Sequence, residues 1–257
     1  MKLCCSSRSY GRLFQAGELT QLEWIDLCAH RLMIDGVDLF WEHFPRTDSD
    51  YLAQIKKLCT DRCLTVAALS ATQRFGAEAD PDADVSELVR WIDVATEIGT
   101  PLVRLGCGAP TGSPGIAWRE LIGGLKRVCA HAKLRNVTLA VQPARDSFVA
   151  TPGDVRRAFK ECDSAWLRLS STASCLAGDD CAQWIDLLSQ SVIVSACLER
   201  LDTFGADESI DYRTVLSALW QAHYRGFLSL EYAGDEAQDD AMLRAVTWLR
   251  DMVAKAA

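Results

Sequence analysis

Short apolar runs alternate with longer amphipathic stretches from one end of the chain to the other. The runs at 2–6, 36–40, 64–69, 101–106, 137–142, 166–171, 192–198 and 227–232 read as strands. The stretches near 20–32, 49–62, 84–98, 116–134, 152–161, 179–189, 211–224 and 239–254 carry apolar residues at helical spacing and read as helices. Several helix starts have chemistry to match. Thr20 with Glu23, and Asp84 with Glu87, have the spacing of a capping box. Thr151 before Pro152 sets a capping hydroxyl ahead of a proline at the first helical position. Gly36, Gly99 and Gly226 fall between helix ends and the next strands, where a left-handed residue is expected.

Eight strand–helix units in succession, with no break in composition, call for parallel strands joined by helical crossovers. That number of units in a chain of 257 residues fits one (β/α)8 TIM barrel spanning 1–257. An open doubly wound sheet is the competing architecture. Its glycine-rich phosphate turn is missing, because Gly106-Cys107-Gly108 runs on as Ala109-Pro110-Thr111. Strand parity also favours the barrel. Val137, Leu139 and Val141 alternate with Thr138, Ala140 and Gln142, and Leu228 and Leu230 alternate with Ser229 and Glu231. Small and polar residues would then face inward, with a polar residue at the C-terminal end of the strand, where barrels build their sites.

Composition narrows the function classes. A net charge of −8 argues against a nucleic-acid partner, which needs a basic surface. No apolar run reaches the ~20 residues of a membrane span. The N-terminal segment lacks the features of a secretory signal, so a cytoplasmic protein is expected. The eleven cysteines include no Cys-x-x-Cys pair and read as reduced, buried thiols.

With the elements placed, several segments stand out in order along the chain. They are Gly17 to Thr20, Asp35 to Leu39, Glu42 to Pro45, Leu64 to Ser70, Trp91 to Ala95, Val103 to Leu105, Ala150 to Val155 and Tyr224 to Tyr232. Through them the chain resembles the xylose-isomerase-like sugar phosphate isomerase/epimerase family of (β/α)8 barrels. The resemblance implies one divalent metal, manganese or magnesium, at the top of the barrel. Its ligands would be a Glu after the fifth strand, an Asp after the sixth, a His after the seventh and a Glu after the eighth. Carried over by position, only the last is present, as Glu231. Gln142 stands for the first, the Ser171-Thr172-Ala173 segment for the second and Val194-Ser195-Ala196 for the third. Neutral amide and hydroxyl groups are weak donors for a hard cation, and Val and Ala are none. The expectation is a barrel with no metal cofactor. The alternative is a manganese or magnesium site rebuilt from His43, Asp38, Glu199 or Asp202.

The remaining candidates lie at the C-terminal face. Glu231 is a candidate acid or base whose pKa burial would raise, or else a carboxylate hydrogen-bonded by Gln142 or paired with an arginine. Arg104, mid-strand and inward, would bind either Glu231 or an anionic ligand. His43 would roof the site and titrate near neutral pH, or lie in a surface loop. Trp41 and Phe44 would stack on a sugar ring or join the core. Gln142, Ser171 and Arg200 complete the ligand-binding set, with Glu199 and Asp202 nearby in a charged loop. Ser170 to Thr172 lack the Gly-x-Ser-x-Gly elbow of a nucleophile. His30, His131 and His223 fall on outer helices. The expected partner is a sugar-like, polyhydroxylated small molecule, bound without catalysis or with metal-independent isomerase or lyase chemistry. The alternatives are a metal-dependent isomerase or epimerase and a non-catalytic interaction subunit, with self-association or a second protein as further partners.

Overall fold

A computed structural model describes residues 1–72, 74–76, 80–109, 113–178 and 180–255. Pro110, Thr111 and Gly112, and Asp179 at the start of one expected helix, lie outside the described residues. The strands are β1 (Lys2–Ser6), β2 (Gly36–Phe40), β3 (Thr65–Ser70), β4 (Leu102–Gly106), β5 (Thr138–Gln142), β6 (Leu167–Thr172), β7 (Ser191–Leu198) and β8 (Phe227–Tyr232). All neighbours pair in parallel, and β8 closes onto β1. The expected (β/α)8 barrel is the fold.

The principal helices of the outer ring are α2 (Gln21–Leu27), α3 (Ser49–Asp61), α4 (Pro81–Ile98), α5 (Pro114–Arg135), α6 (Pro152–Cys162), α9 (Tyr212–Gln221) and α10 (Gln238–Lys255). The capping boxes at Thr20 and Thr151 both form, the second closed by Asp154. The box expected at Asp84 does not. The helix begins earlier, because Asp80 caps it ahead of Pro81, whose fixed φ suits the first position. Asp84 is instead buried in the first turns and accepts the Gly76 N–H at 2.7 Å.

Gly99 takes the left-handed conformation, with φ 87°. Gly36 and Gly226 do not. They are needed for space, since a Cβ would lie 2.6 Å from the Thr65 carbonyl oxygen at Gly36 and 2.3 Å from the Tyr224 hydroxyl at Gly226. Within the helix expected over 179–189 lie a short α8 (Cys181–Ile185) and a 3-10 turn at Leu188–Gln190, and a further short helix, α7 (Ala173–Ala177), precedes them and ends where the backbone turns extended at Gly178. The stretch over 20–32 is α2 followed by a wider π turn at Cys28–Leu32. A further short helix, α1 (Gly11–Ala16), follows β1 and has no counterpart in the sequence reading.

Alternation along the strands divides the side chains as expected. Leu139, Val141, Leu228 and Leu230 join the large core between sheet and helices. Inside the barrel, Cys4, Ala67, Ala68, Leu102, Ala140 and Ile193 form a separate small cluster. On their strands, Leu102, Ile193 and Ala67 precede Arg104, Ser195 and Ser70. The apolar filling therefore lies toward the strands' N-terminal ends and leaves the other end to polar groups.

Candidate functional site

The centre of the upper barrel is a buried cation. Arg104 on β4 is fully buried, and its register partner on β5 is Ala140, whose small side chain leaves room for the guanidinium. Nη1 lies 3.0 Å from Asp38 Oδ2 and donates to Ser195 Oγ at 2.9 Å. Nη2 donates to Glu231 Oε1 in a short contact. Asp38, also fully buried, accepts from the hydroxyls of Ser70 at 2.9 Å and Ser229 at 2.8 Å. Three strands beyond β4 itself, β2, β7 and β8, thus converge on one guanidinium, and β3 joins the network through Ser70. Its planar fork can serve two carboxylates at once.

The electrostatics follow from this arrangement. Burial by itself would discharge Arg104, but Asp38 and Glu231 hold it charged. Burial alone would also push the Glu231 carboxyl up, as the sequence reading expects. The charges of Arg104 and Arg8 and the hydrogen bonds from Arg104 and Ser195 outweigh it, and hold Glu231 below the usual range. The expectation of a raised Glu231 is corrected, because its partner is a fixed cation. Asp38 runs the other way. Burial and the neighbouring Glu231 lift it, against the pull of Arg104 and the two serines.

Above this network lies a cavity of about 510 Å³. Glu231, Gln142, Cys197, Glu199, Arg8 and Arg12 supply its polar lining. The Glu231 side chain is 12 % exposed, and Arg8 approaches its Oε2 at 3.8 Å. Arg8 also lies over the Phe40 ring, 5.1 Å from its centroid. Arg12 donates to the backbone oxygens of Asp235, at 3.0 Å, and Glu236. The segment after β1 is fastened to β8 through Ser9, which donates to the Leu230 carbonyl and accepts from the Tyr232 N–H. That fastening brings Arg8 and Arg12 to the site. The sequence reading misses both, although the loop after the first strand of a barrel opens onto its active face. It also misses Cys197, the register partner of Glu231 on β7. Burial, aided by Glu231, pushes the Cys197 thiol up to about 12.

Arg104 lies beneath this cavity, and the sequence-predicted His43, Trp41, Phe44, Ser171 and Arg200 do not line it. His43 lines a neighbouring cavity of about 340 Å³ with Phe14, Leu19, Gln21 and Pro45, and Gln15 borders both cavities. Its ring stacks on Phe14 at 4.1 Å, and Nδ1 is hydrogen-bonded to Ser7 Oγ at 2.8 Å. Burial and the charge of Arg8 bring its pKa down to about 4, so it does not titrate near neutrality as expected. Trp41 is half-buried against the core, in edge contact with Trp91 at 6.2 Å, and Phe44 packs on the same ring. Ser171 pairs with Val194, a residue of the outer core, so parity turns it toward the helices. Thr172, paired with Ser195, is the inward residue at that level. Plain alternation puts Ser171 on the outward side with Leu167 and Leu169, since the register shift here skips Val192 on β7 and leaves the parity of β6 intact. Arg200 is exposed. Asp207 accepts the backbone N–H groups of Glu199 and Arg200 and so fixes the loop.

A divalent ion takes several anionic oxygen or imidazole donors. Among the described residues, no group of three or more His, Cys, Asp or Glu side chains is placed to hold one. Asp38 and Glu231 already share a guanidinium. Gln142 offers a neutral amide, whose Oε1 has no hydrogen-bond partner.

The fold and site define a (β/α)8 barrel with an acidic group at the end of its eighth strand. The sequence model of the xylose isomerase-like TIM barrel family matches residues 29–170, more than half of the chain, and the chain belongs to that family. No curated protein matches it. Among solved structures, it is similar to an L-ribulose 3-epimerase, at 16 % identity over 99 % of this chain and 95 % of that one, with a TM-score of 0.79. It is also similar to D-psicose 3-epimerase from Clostridium cellulolyticum H10, at 13 % identity over 98 % and 99 % of the two chains, TM-score 0.78. A third likeness is to the probable 3-DHS dehydratase AsbF of Bacillus anthracis, at 13 % identity over 97 % and 99 %, TM-score 0.77. At these identities the likeness shows the fold.

Proposed function

We propose that this chain is a metal-independent member of its family that binds a polyhydroxylated, sugar-like molecule in the cavity above Glu231. The observation that carries the reading is the Arg104–Glu231 ion pair. The carboxylate that the family resemblance assigns to a metal has an internal cation as its partner. Held ionised and fixed, Glu231 is a strong acceptor for ligand hydroxyls. The same depression makes it a poor general base, since proton transfer near pH 7 works best from a group that titrates there. Binding is therefore favoured over acid–base chemistry. Arg8 and Gln142 supply donors, and Glu199 a further acceptor, at the cavity wall. Several polar groups converging on one concave site is the pattern of a small polar ligand. The cytoplasm is the proposed compartment.

Calorimetric titration with a panel of pentoses, ketohexoses and polyols, without added metal, tests this. At least one member should bind saturably. Glu231→Gln should weaken it about tenfold or more, the loss of a charged hydrogen bond. No saturable heat from any member of the panel would overturn the reading.

A further inference from the structure

Two sulfurs meet outside the barrel site. Cys129 on α5 and Cys162, the last residue of α6, have their Sγ atoms 3.9 Å apart. The two helices flank β5, so the contact spans a chain segment that contains the whole strand and Gln142 at its end. Both residues are almost fully buried, at 3 % and 4 % exposure. The pair is asymmetric. Contact with Cys129 lowers the Cys162 thiol against the opposing effect of burial, and the nearby charge of Lys126 adds to the lowering. Contact with Cys162 and burial together raise Cys129. Either sulfur can donate the S–H, and the charge of Lys126, which favours a thiolate at Cys162, makes that sulfur the nucleophile. Cys5 and Cys28 form another close thiol pair, deeper in the core. Both residues are fully buried, and burial pushes Cys28 well up.

We propose that Cys129 and Cys162 are a redox pair that closes into a disulfide between α5 and α6 on exposure to a peroxide. The Cys162 thiolate attacks one peroxide oxygen. The S–O bond forms, the O–O bond breaks, and hydroxide leaves and is protonated to water. The Cys129 sulfur, as it gives up its proton, then attacks the Cys162 sulfenic acid. The S–S bond forms, the S–O bond breaks, and a second water leaves. Two thiols are oxidised and one peroxide is reduced to two waters. The sulfurs must close from 3.9 Å to about 2.05 Å. Asp163, which ends α6 in the left-handed conformation next to Cys162, places the moving residue at a helix end. The bridge would clamp the helices on either side of the strand that bears Gln142. This proposal stands apart from the ligand reading.

The test is hydrogen peroxide treatment of the full chain, followed by alkylation under denaturing conditions and peptide mapping. The expected product is a Cys129–Cys162 linked peptide, two hydrogens lighter than its parts and released by a thiol reductant. In Cys129→Ser, Cys162 should stop at a sulfenic acid that dimedone traps. Should that variant fail to fold, the wild-type map decides alone. Cys129 and Cys162 remaining separately alkylatable while exposed Cys63 oxidises would overturn the proposal, as would a Cys5–Cys28 link as the main product.

Discussion

The barrel interior holds two fillings that obey different physics. Toward the strands' N-terminal ends, Cys4, Ala67, Leu102 and Ile193 pack as small apolar side chains and leave little to chemistry. Toward the C-terminal ends, Arg104 ties Asp38, Ser195 and Glu231 into a network that touches a cavity. The first cluster needs only volume and apolarity. The second needs every charge answered, since a buried ion without its partner costs far more than a missing methyl group. The difference teaches where a substitution in this chain is costly. Three of the four ligand positions implied by the family resemblance hold neutral residues. The fourth, Glu231, persists beside a guanidinium.

The sharpest way to break the contrast is to remove the cation. Arg104→Met leaves two buried carboxylates facing each other, and stability in urea should fall by about 3–5 kcal/mol. Adding Asp38→Asn and Glu231→Gln to it should restore much of that loss. A cost under about 1 kcal/mol, the size of a surface pair, would mean that the network is not buried as described. In the apolar filling, Ile193→Ala should cost about 2–5 kcal/mol by cavity formation. It should leave ligand affinity unchanged, and a matching loss of affinity would show that the two fillings are coupled.

A smaller effect distinguishes His43 from the network. Its folded pKa, about 4, lies below the ordinary value of about 6.5. The unfolded chain takes up that proton first. Stability should therefore fall as the pH drops from about 6.5 to about 4 and draw no further change from this group below. Asn at position 43 should flatten that limb in pH-dependent urea denaturation. Glu231, held below the usual carboxylate range, contributes stability that is lost only at lower pH, as its folded carboxyl protonates. An unchanged limb in His43→Asn would assign the slope to other groups.

Much of the fold was legible because β/α alternation repeats a periodic signal eight times and strand parity is strict. What escaped was local. The early start of α4 turned on Asp80 and Pro81 outweighing a plausible box at Asp84. The orientation of Ser171 follows from alternation with Leu167 and Leu169, and carrying the family's ligand segment over by position set that parity aside. In the site, Arg104 could be read as an inward cation that needs a counter-charge, and Glu231 as a candidate partner. Asp38 was harder to place in the network. It alternates with Val37 and Leu39 and so faces inward, but its distance from Arg104 depends on strand tilt. Trp41 and His43 show the opposite limit. Proximity to a strand end located them near the top of the barrel, while packing on Trp91 and Phe14 decided where they point.

The most direct measurement of the central claim, that Arg104 and no divalent ion balances Glu231, is a calorimetric manganese titration of the wild-type protein beside Glu231→Ala. The account predicts no stoichiometric binding to either protein. Binding of one manganese per chain that disappears in Glu231→Ala would contradict it.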